Sequence, residues 1–147
     1  MTDPTASEPG VDLDSSGLEI LTYEECRSLL AEQPVGRIGL LDAGAPVILP
    51  INLALDGPCI VFRSGGGSKL ETAVMGRPVC VEVDSWNVVD HTGWSVLAKG
   101  VAEHVTDAAE IERLDRFHVR PWAHPELRHE WIRVHVDDLS GRRIHPG

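Results

Sequence analysis

The chain has 147 residues, of which 42% are hydrophobic and 24% are charged, and its formal net charge at pH 7 is −10. This length suits one domain with its own core, and no apolar run approaches the roughly 20 residues that a membrane-spanning helix needs. An acidic surface repels the phosphate backbone of nucleic acids, so we expect neither nucleic acid nor membrane as a partner.

The beginning of the chain and its cysteines indicate where the protein works. Residues 1–17 are rich in Ser, Thr, Asp, Pro and Gly, which predicts a disordered tail before a single domain over residues 18–147. The tail has neither the basic start nor the apolar stretch of a secretory signal. Cys26, Cys59 and Cys80 have apolar neighbours and form no C-x-x-C pair, which favours a reducing compartment. We therefore predict a cytoplasmic protein.

The remaining chain predicts six short strands and three helices. A capping box from Thr22 to Glu25 starts the first helix, which stops before Pro34. Strict alternation of apolar residues predicts strands with one buried face, and tight turns make neighbouring strands antiparallel. The predicted strands cover residues 35–41, 47–55, 59–64, 79–83, 94–105 and 131–136, with a polar loop over 85–93 and a separate segment at 141–144. The later helices are predicted to begin at Ser68 and Asp107, outside a small β-barrel.

One segment, Phe62 to Glu71, has the composition of a phosphate site. A strand ends on Arg63 and Ser64, three glycines follow, and a helix begins at Ser68. Glycines let the backbone approach an anion, and a helix N-terminus adds roughly half a positive charge. Arg63 and Lys69 add full charges in an acidic chain. The alternative is that Ser68 merely begins a capping box.

Four motifs occur in a fixed order along the chain. They are Pro34-Val-Gly-Arg-Ile-Gly39, Pro46-Val-Ile-Leu-Pro-Ile-Asn52, Phe62-Arg-Ser-Gly-Gly-Gly-Ser-Lys69 and Gly93-Trp-Ser-Val-Leu-Ala-Lys-Gly100. Together they resemble the short bacterial branch of the pyridoxamine 5′-phosphate oxidase-like family, over about residues 18–144. The resemblance implies a mainly β fold, a six-stranded antiparallel split β-barrel with peripheral helices that binds FMN. It also implies a cytoplasmic homodimer that acts as an oxidoreductase on a small-molecule substrate.

The same resemblance assigns residues to the flavin. The positions that match ligands of the phosphate and ribityl chain are Arg63, Ser64, Ser68 and Lys69. The positions that match the strand beside the pyrimidine edge of the ring are Pro50, Ile51 and Asn52.

Other matching positions lie farther along the chain. Trp94 and Ser95 match residues that the partner subunit contributes, so two sites would form across a dimer interface. Arg143, or its neighbour Arg142, matches a further cofactor contact in some members. Glu82 and Asp84 fall on the strand beside the site, without an assigned role.

Several alternatives remain open. The same fold binds a deazaflavin coenzyme in related branches, and a module that holds flavin or haem without turnover is a second possibility. Arg133 and His135 have the Arg-x-His spacing that vitamin B6 oxidases use for substrate, but they alternate with aliphatic residues in the last predicted strand. That position favours a structural role. No catalytic acid or base is assigned. The histidine spacing from His118 to His135 matches no recognised metal site, so no metal is predicted.

Overall fold

The computed structural model describes residues 10–65, 69–122 and 129–144, without the side chains of residues 69–71. The strands in these ranges are β1 (Leu18–Ile20), β2 (Val35–Asp42), β3 (Ala45–Asp56), β4 (Cys59–Gly65), β5 (Pro78–Asn87), β6 (Thr92–His104) and β7 (His129–Ile144). The helices are α1 (Tyr23–Glu32), α2 (Lys69–Val74) and α3 (Ala108–Asp115). No helix in the described ranges is long and apolar enough to cross a membrane.

Six antiparallel strands close into a ring. Their order is β7-β4-β3-β2-β5-β6, and β6 also pairs with β7, so the first and last strands of the sheet meet. The short β1 pairs with the end of β7, outside the ring. Closure removes the exposed edges of a sheet. The predicted six-stranded antiparallel barrel is confirmed.

The barrel interior is filled by the residues whose alternation predicted the strands. Val81, Val83, Ile132 and Val134 are fully buried. Along β3 the alternation holds only in part, because Ile51 and Leu53 are buried while Leu49 is exposed over 36% of its surface. Within the described pairings, residues 45–52 of β3 pair with β2 alone, so Leu49 has packing partners on one side only.

A second, smaller core lies outside the ring. Helix α3 and the segment after it cover the outer face of β4 and β7, where Leu114 and Val119 pack on Val61 and Trp131. The side chain of Asp107 caps this helix, since the Glu110 amide donates to its Oδ2 at 3.0 Å. This cover brings the segment that follows α3 close to the end of β4.

The capping box of α1 is confirmed. The Glu25 amide donates to Thr22 Oγ1 at 3.2 Å, and the Thr22 amide donates to Glu25 Oε2 at 2.7 Å. Two donors that the helix itself leaves unpaired are thereby satisfied.

Two boundaries predicted from polarity are wrong. The predicted polar loop is shorter, because Ser85, Trp86 and Asn87 continue β5 and pair with β6. The turn that remains is held by Asn87, whose side chain accepts from the amides of Val89 and Asp90 at 3.0 and 3.2 Å. The predicted break before residue 141 is also absent, since β7 runs on past a β-bulge opposite Lys99 and Gly100. Backbone pairing with β6 outweighs the polar side chains at both places.

The end of the predicted tail makes local polar contacts. Asp14 Oδ1 accepts from the amides of Ser16 and Leu18 at 2.8 and 3.0 Å, and Asp14 Oδ2 accepts from Arg142 Nε at 3.0 Å. These contacts attach residues 14–18 to β7 without apolar burial. Residues 1–9 lie outside the described ranges.

Candidate functional site

Three of the predicted contacts on β3 and β4, which are Pro50, Asn52 and Arg63, share the outer face of the barrel. Leu53 pairs with Phe62, and both are buried inside. In the same antiparallel register, Asn52 lies one residue before Leu53 and Arg63 lies one residue after Phe62, so these two are opposite each other and face outward. Pro50 is exposed and lies on this face as well, whereas Ile51 is 3% exposed and turns into the core. A ligand beside β3 can therefore contact Ile51 only through its backbone.

Arg63 has a hydrogen-bonding group without a protein partner. Its guanidinium carbon lies 5.3 Å from the centroid of the Trp131 ring, and its Nε is buried without a hydrogen bond in the described structure. An unsatisfied buried donor costs roughly 1–3 kcal/mol. An anionic ligand would satisfy it, so Arg63 fits the phosphate role.

The structure describes only some of the other predicted phosphate ligands. Ser64 is 4% exposed and lies on the inner face of β4. Lys69 is the first residue of α2, but its side chain is outside the described structure, and Ser68 lies outside the described residues altogether.

A second group of predicted residues meets at the far end of β7. Trp94 pairs with Arg143 and Ser95 pairs with Arg142. All four residues line a cavity of about 300 Å³, which Asp84 also borders. Arg143 Nη1 lies 3.3 Å from Glu19 Oε1, and Arg142 is held by Asp14. Both arginines thus have an acidic partner.

Within one chain, the two groups pair with distant parts of β7. Arg63 pairs with Trp131, and Trp94 pairs with Arg143, which lies 12 positions later on β7. At roughly 3.3 Å per residue, that is up to about 40 Å of strand.

Two carboxylates occupy the outer face between these groups. Glu82 pairs with Arg37, and Arg37 pairs with Pro50 on the other side. Burial raises the pKa of Glu82 to about 7, and a hydrogen bond and the charge of Asp84 add to the effect. Glu82 Oε1 is buried without a partner in the described structure, while Asp84 Oδ2 lies 3.6 Å from Arg37 Nη1. Glu82 can thus hold or release a proton near neutral pH.

The residues with Arg-x-His spacing belong to an ion-pair network. The Arg133 side chain is 14% exposed, and its Nη2 lies 2.6 Å from Glu110 Oε2 and 3.4 Å from Asp56 Oδ2. His135 Nε2 lies 3.0 Å from Glu103 Oε1. Their contacts support the structural interpretation. The described side chains contain no group of three or more potential metal ligands.

Sequence reasoning missed a cavity of about 630 Å³ beside Arg63. The residues that line it are Arg63, Asp115, His118, Val119, Arg120, Pro121 and His129. The segment after α3 has no periodicity that would reveal its position. A tertiary contact attaches this segment to β3, since Asn52 Nδ2 donates to the carbonyl of Arg120 at 2.8 Å.

Comparison with known proteins identifies the family. The family model described as pyridoxamine 5′-phosphate oxidase matches residues 22–143. The chain belongs to this family. The match contains the six-stranded ring, apart from the last residue of β7, and all the predicted flavin contacts. The predicted family resemblance is confirmed.

Similar proteins come from several bacteria. The uncharacterized protein Rv0080 of Mycobacterium tuberculosis is 33% identical over 81% of this chain and 75% of its own length. A FAD binding protein from Mycobacterium smegmatis is 33% identical, with a TM-score of 0.72 over 84% of this chain and 95% of that one. A putative pyridoxamine 5′-phosphate oxidase from Corynebacterium glutamicum is 28% identical, with a TM-score of 0.75 over 86% of this chain and 97% of that one.

Proposed function

We propose that this protein is a flavin-dependent oxidoreductase that holds the phosphate of its cofactor at the end of β4. The observation that supports this most directly is the buried Nε of Arg63, which has no partner in the described structure. It lies on the same outer face as Pro50 and Asn52, in a chain 33% identical to a protein described as FAD-binding. The cofactor in this proposal is a flavin nucleotide, which is either FMN or a larger nucleotide such as FAD that contains it.

Each group of residues has a separate task in this proposal. Arg63 supplies charge for the phosphate, together with Lys69 and the amides that follow β4. The backbone of residues 50–52, on the outer face of β3, lies along the isoalloxazine ring of the flavin. The flavin itself supplies hydride transfer. Glu82 lies on the same face, and its carboxyl can exchange a proton near neutral pH.

A homodimer brings the two distant groups together. Trp94, Ser95 and Arg143 lie far along β7 from Arg63 in one subunit. A two-fold axis would place the β6–β7 end of one subunit against the β4 end of the other, forming two equal sites. We therefore propose that the active unit is the dimer, with each flavin held between subunits.

The visible spectrum tests the proposal. Purified protein should absorb near the wavelengths of oxidised flavin, and this absorbance should bleach when NAD(P)H is added. Chromatography of the cofactor released by heat then distinguishes FMN, FAD and a deazaflavin. A bound flavin that no reductant bleaches would indicate a non-catalytic binding module. Protein that binds neither flavin nor deazaflavin would contradict the proposal.

Substitution of Arg63 tests the phosphate site itself. Arg63→Gln should weaken the binding of FMN by roughly ten- to hundred-fold, since a hydrogen bond to a charged group contributes about 1.5–3 kcal/mol. Riboflavin has no phosphate, so its affinity should not change. Lys69→Ala should have the same selective effect. Arg77→Gln removes an equal charge from an exposed position and should leave both affinities unchanged. Equal FMN affinity in the wild type and Arg63→Gln would place the phosphate elsewhere.

A further inference from the structure

The cavity beside Arg63 is basic in an otherwise acidic chain. Its basic side chains come from Arg63, His118, Arg120 and His129, and the acidic side chain among the described lining residues is Asp115. Asp115 Oδ1 already accepts from Trp131 Nε1 at 2.8 Å. The chain as a whole has a net charge of −10. The two arginines supply positive charge here, and the two imidazoles supply further hydrogen-bonding groups, which together favour an anionic ligand.

Two residues that line the cavity carry three buried polar atoms without a hydrogen-bond partner in the described structure. They are Arg63 Nε, His129 Nδ1 and His129 Nε2, for which the described structure contains no hydrogen bond. Native proteins leave few buried polar groups unsatisfied, and several such atoms around one space mark a place where a ligand, ion or water binds. His129 pairs with Gly65, two residues after Arg63 on β4. The two residues therefore belong to adjacent strands and line the same cavity.

The cavity adjoins the proposed flavin site at Arg63. Arg63 belongs to both, as the phosphate ligand and as a wall of the cavity. The hydrogen bond from Asn52 Nδ2 to the Arg120 carbonyl, at 2.8 Å, fixes the cavity segment to the strand that would lie along the flavin ring. A ligand that reaches Arg63 with its first phosphate can therefore continue into this space.

We propose that the cavity binds the second phosphate and the adenosine of FAD, and so selects FAD over FMN. This inference rests on the proposed flavin-binding function. The volume of about 630 Å³ lies within the usual range of about 300–1,000 Å³ for ligand pockets. Trp122 follows the lining residue Pro121 and is 60% exposed, which leaves an aromatic side chain available to a base at the margin.

Two substitutions test this subsite through measurements of cofactor affinity, without an activity assay. His129→Phe keeps a ring of similar shape but removes both nitrogens, and Arg120→Gln removes a charge at an exposed position. Dissociation constants for FAD and FMN are measured by calorimetry on the full chain after removal of cofactor. We expect the wild type to prefer FAD, and each variant to lose roughly tenfold or more in FAD affinity with FMN affinity unchanged. Arg77→Gln should leave the FAD-to-FMN ratio unchanged.

Other results would overturn the inference. Equal weakening of FAD and FMN would place these residues at the shared phosphate, and unchanged affinity for both would show that the cavity holds no part of the cofactor. If His129→Phe does not fold, the exposed Arg120→Gln decides. A wild-type protein that binds FMN as well as FAD overturns the subsite but keeps the proposed function. A wild-type protein that binds neither flavin overturns both.

Discussion

At the scale of single residues, Glu82 is the titratable group that most clearly distinguishes the folded chain from the unfolded one. Its carboxyl is taken from water on the outer face of β5, beside Asp84, and its pKa rises to about 7. The unfolded chain has an ordinary glutamate there. Because the folded state binds the extra proton, its stability falls as pH rises from about 4.5 to about 7.

The substitution Glu82→Gln should remove this pH dependence. Relative to the wild type, we expect the variant to gain free energy of unfolding between pH 5 and pH 8, because the wild type must ionise a buried carboxyl over that range. Urea unfolding at the two pH values measures the difference. Glu32→Gln, at an exposed position on α1, is the control. A Glu82→Gln difference that is the same at both pH values would show that another group titrates.

Substitution of Arg133 tests whether this residue has a structural role or a role in flavin binding. Arg133→Met leaves Asp56 and Glu110 with Arg113 alone, whose Nη2 lies 2.7 and 2.8 Å from their carboxylates. We expect a loss of about 1.5–3 kcal/mol in the free energy of unfolding and no change in flavin affinity. Arg116→Met breaks only a pair of 3.8 Å between side chains that are 75% and 77% exposed, so its cost should be within about 0.5 kcal/mol. A loss of flavin binding in Arg133→Met would show that Arg133 belongs to the flavin site.

At the scale of elements, closure of the ring depends on how closely β6 approaches β7. A side chain at Gly100 would meet the carbonyl oxygen of His135, next to the bulge that lets β7 continue to Ile144. The site depends on this continuation, because the far end of β7 carries Arg142 and Arg143. A glycine here is therefore required by a close approach of two backbones.

The substitution Gly100→Ala should destabilise the barrel. The added methyl group must push β6 and β7 apart, and such overpacking costs about 1–3 kcal/mol. Thermal unfolding followed by circular dichroism measures the loss. Gly10→Ala, where an added Cβ would meet no atom within 4 Å, should be close to neutral. Equal melting temperatures for Gly100→Ala and the wild type would contradict the close approach.

At the scale of the whole molecule, we propose that the site is shared between two chains. The groups at Arg63 and at Trp94 lie at opposite ends of β7 in one subunit. Light scattering should therefore give a mass of about twice the 16.0 kDa of the chain. A monomer at micromolar concentration would contradict the dimer.

Mixed dimers test whether the site is shared. Arg63→Gln and Trp94→Ala should each bind flavin poorly on their own. When both chains are expressed together, each mixed dimer should regain one intact site, because one subunit supplies Arg63 and the other supplies Trp94. Recovery of flavin absorbance in the mixture, against none in either variant alone, is the expected result. Absence of recovery would place both halves of the site in one subunit or on different ligands.

Local patterns in the sequence determined much of this protein. Apolar alternation placed the strands and their inward faces, and Thr22 with Glu25 fixed the start of α1. The ordered motifs identified the family, and the glycine-rich segment singled out Arg63. These features depend on neighbours within a few residues, so a single sequence contains them.

Only the tertiary structure decided which distant residues meet. Pairing with β6 extended β5 and β7 through polar residues that sequence reasoning left outside the strands. The packing of α3 on β4 and β7 brought His118, Arg120 and His129 beside Arg63, a neighbourhood with no periodic signal. Burial raised the pKa of Glu82, because desolvation depends on surroundings from several strands at once. Long-range packing of this kind is a property of the folded chain and leaves no local pattern in its sequence.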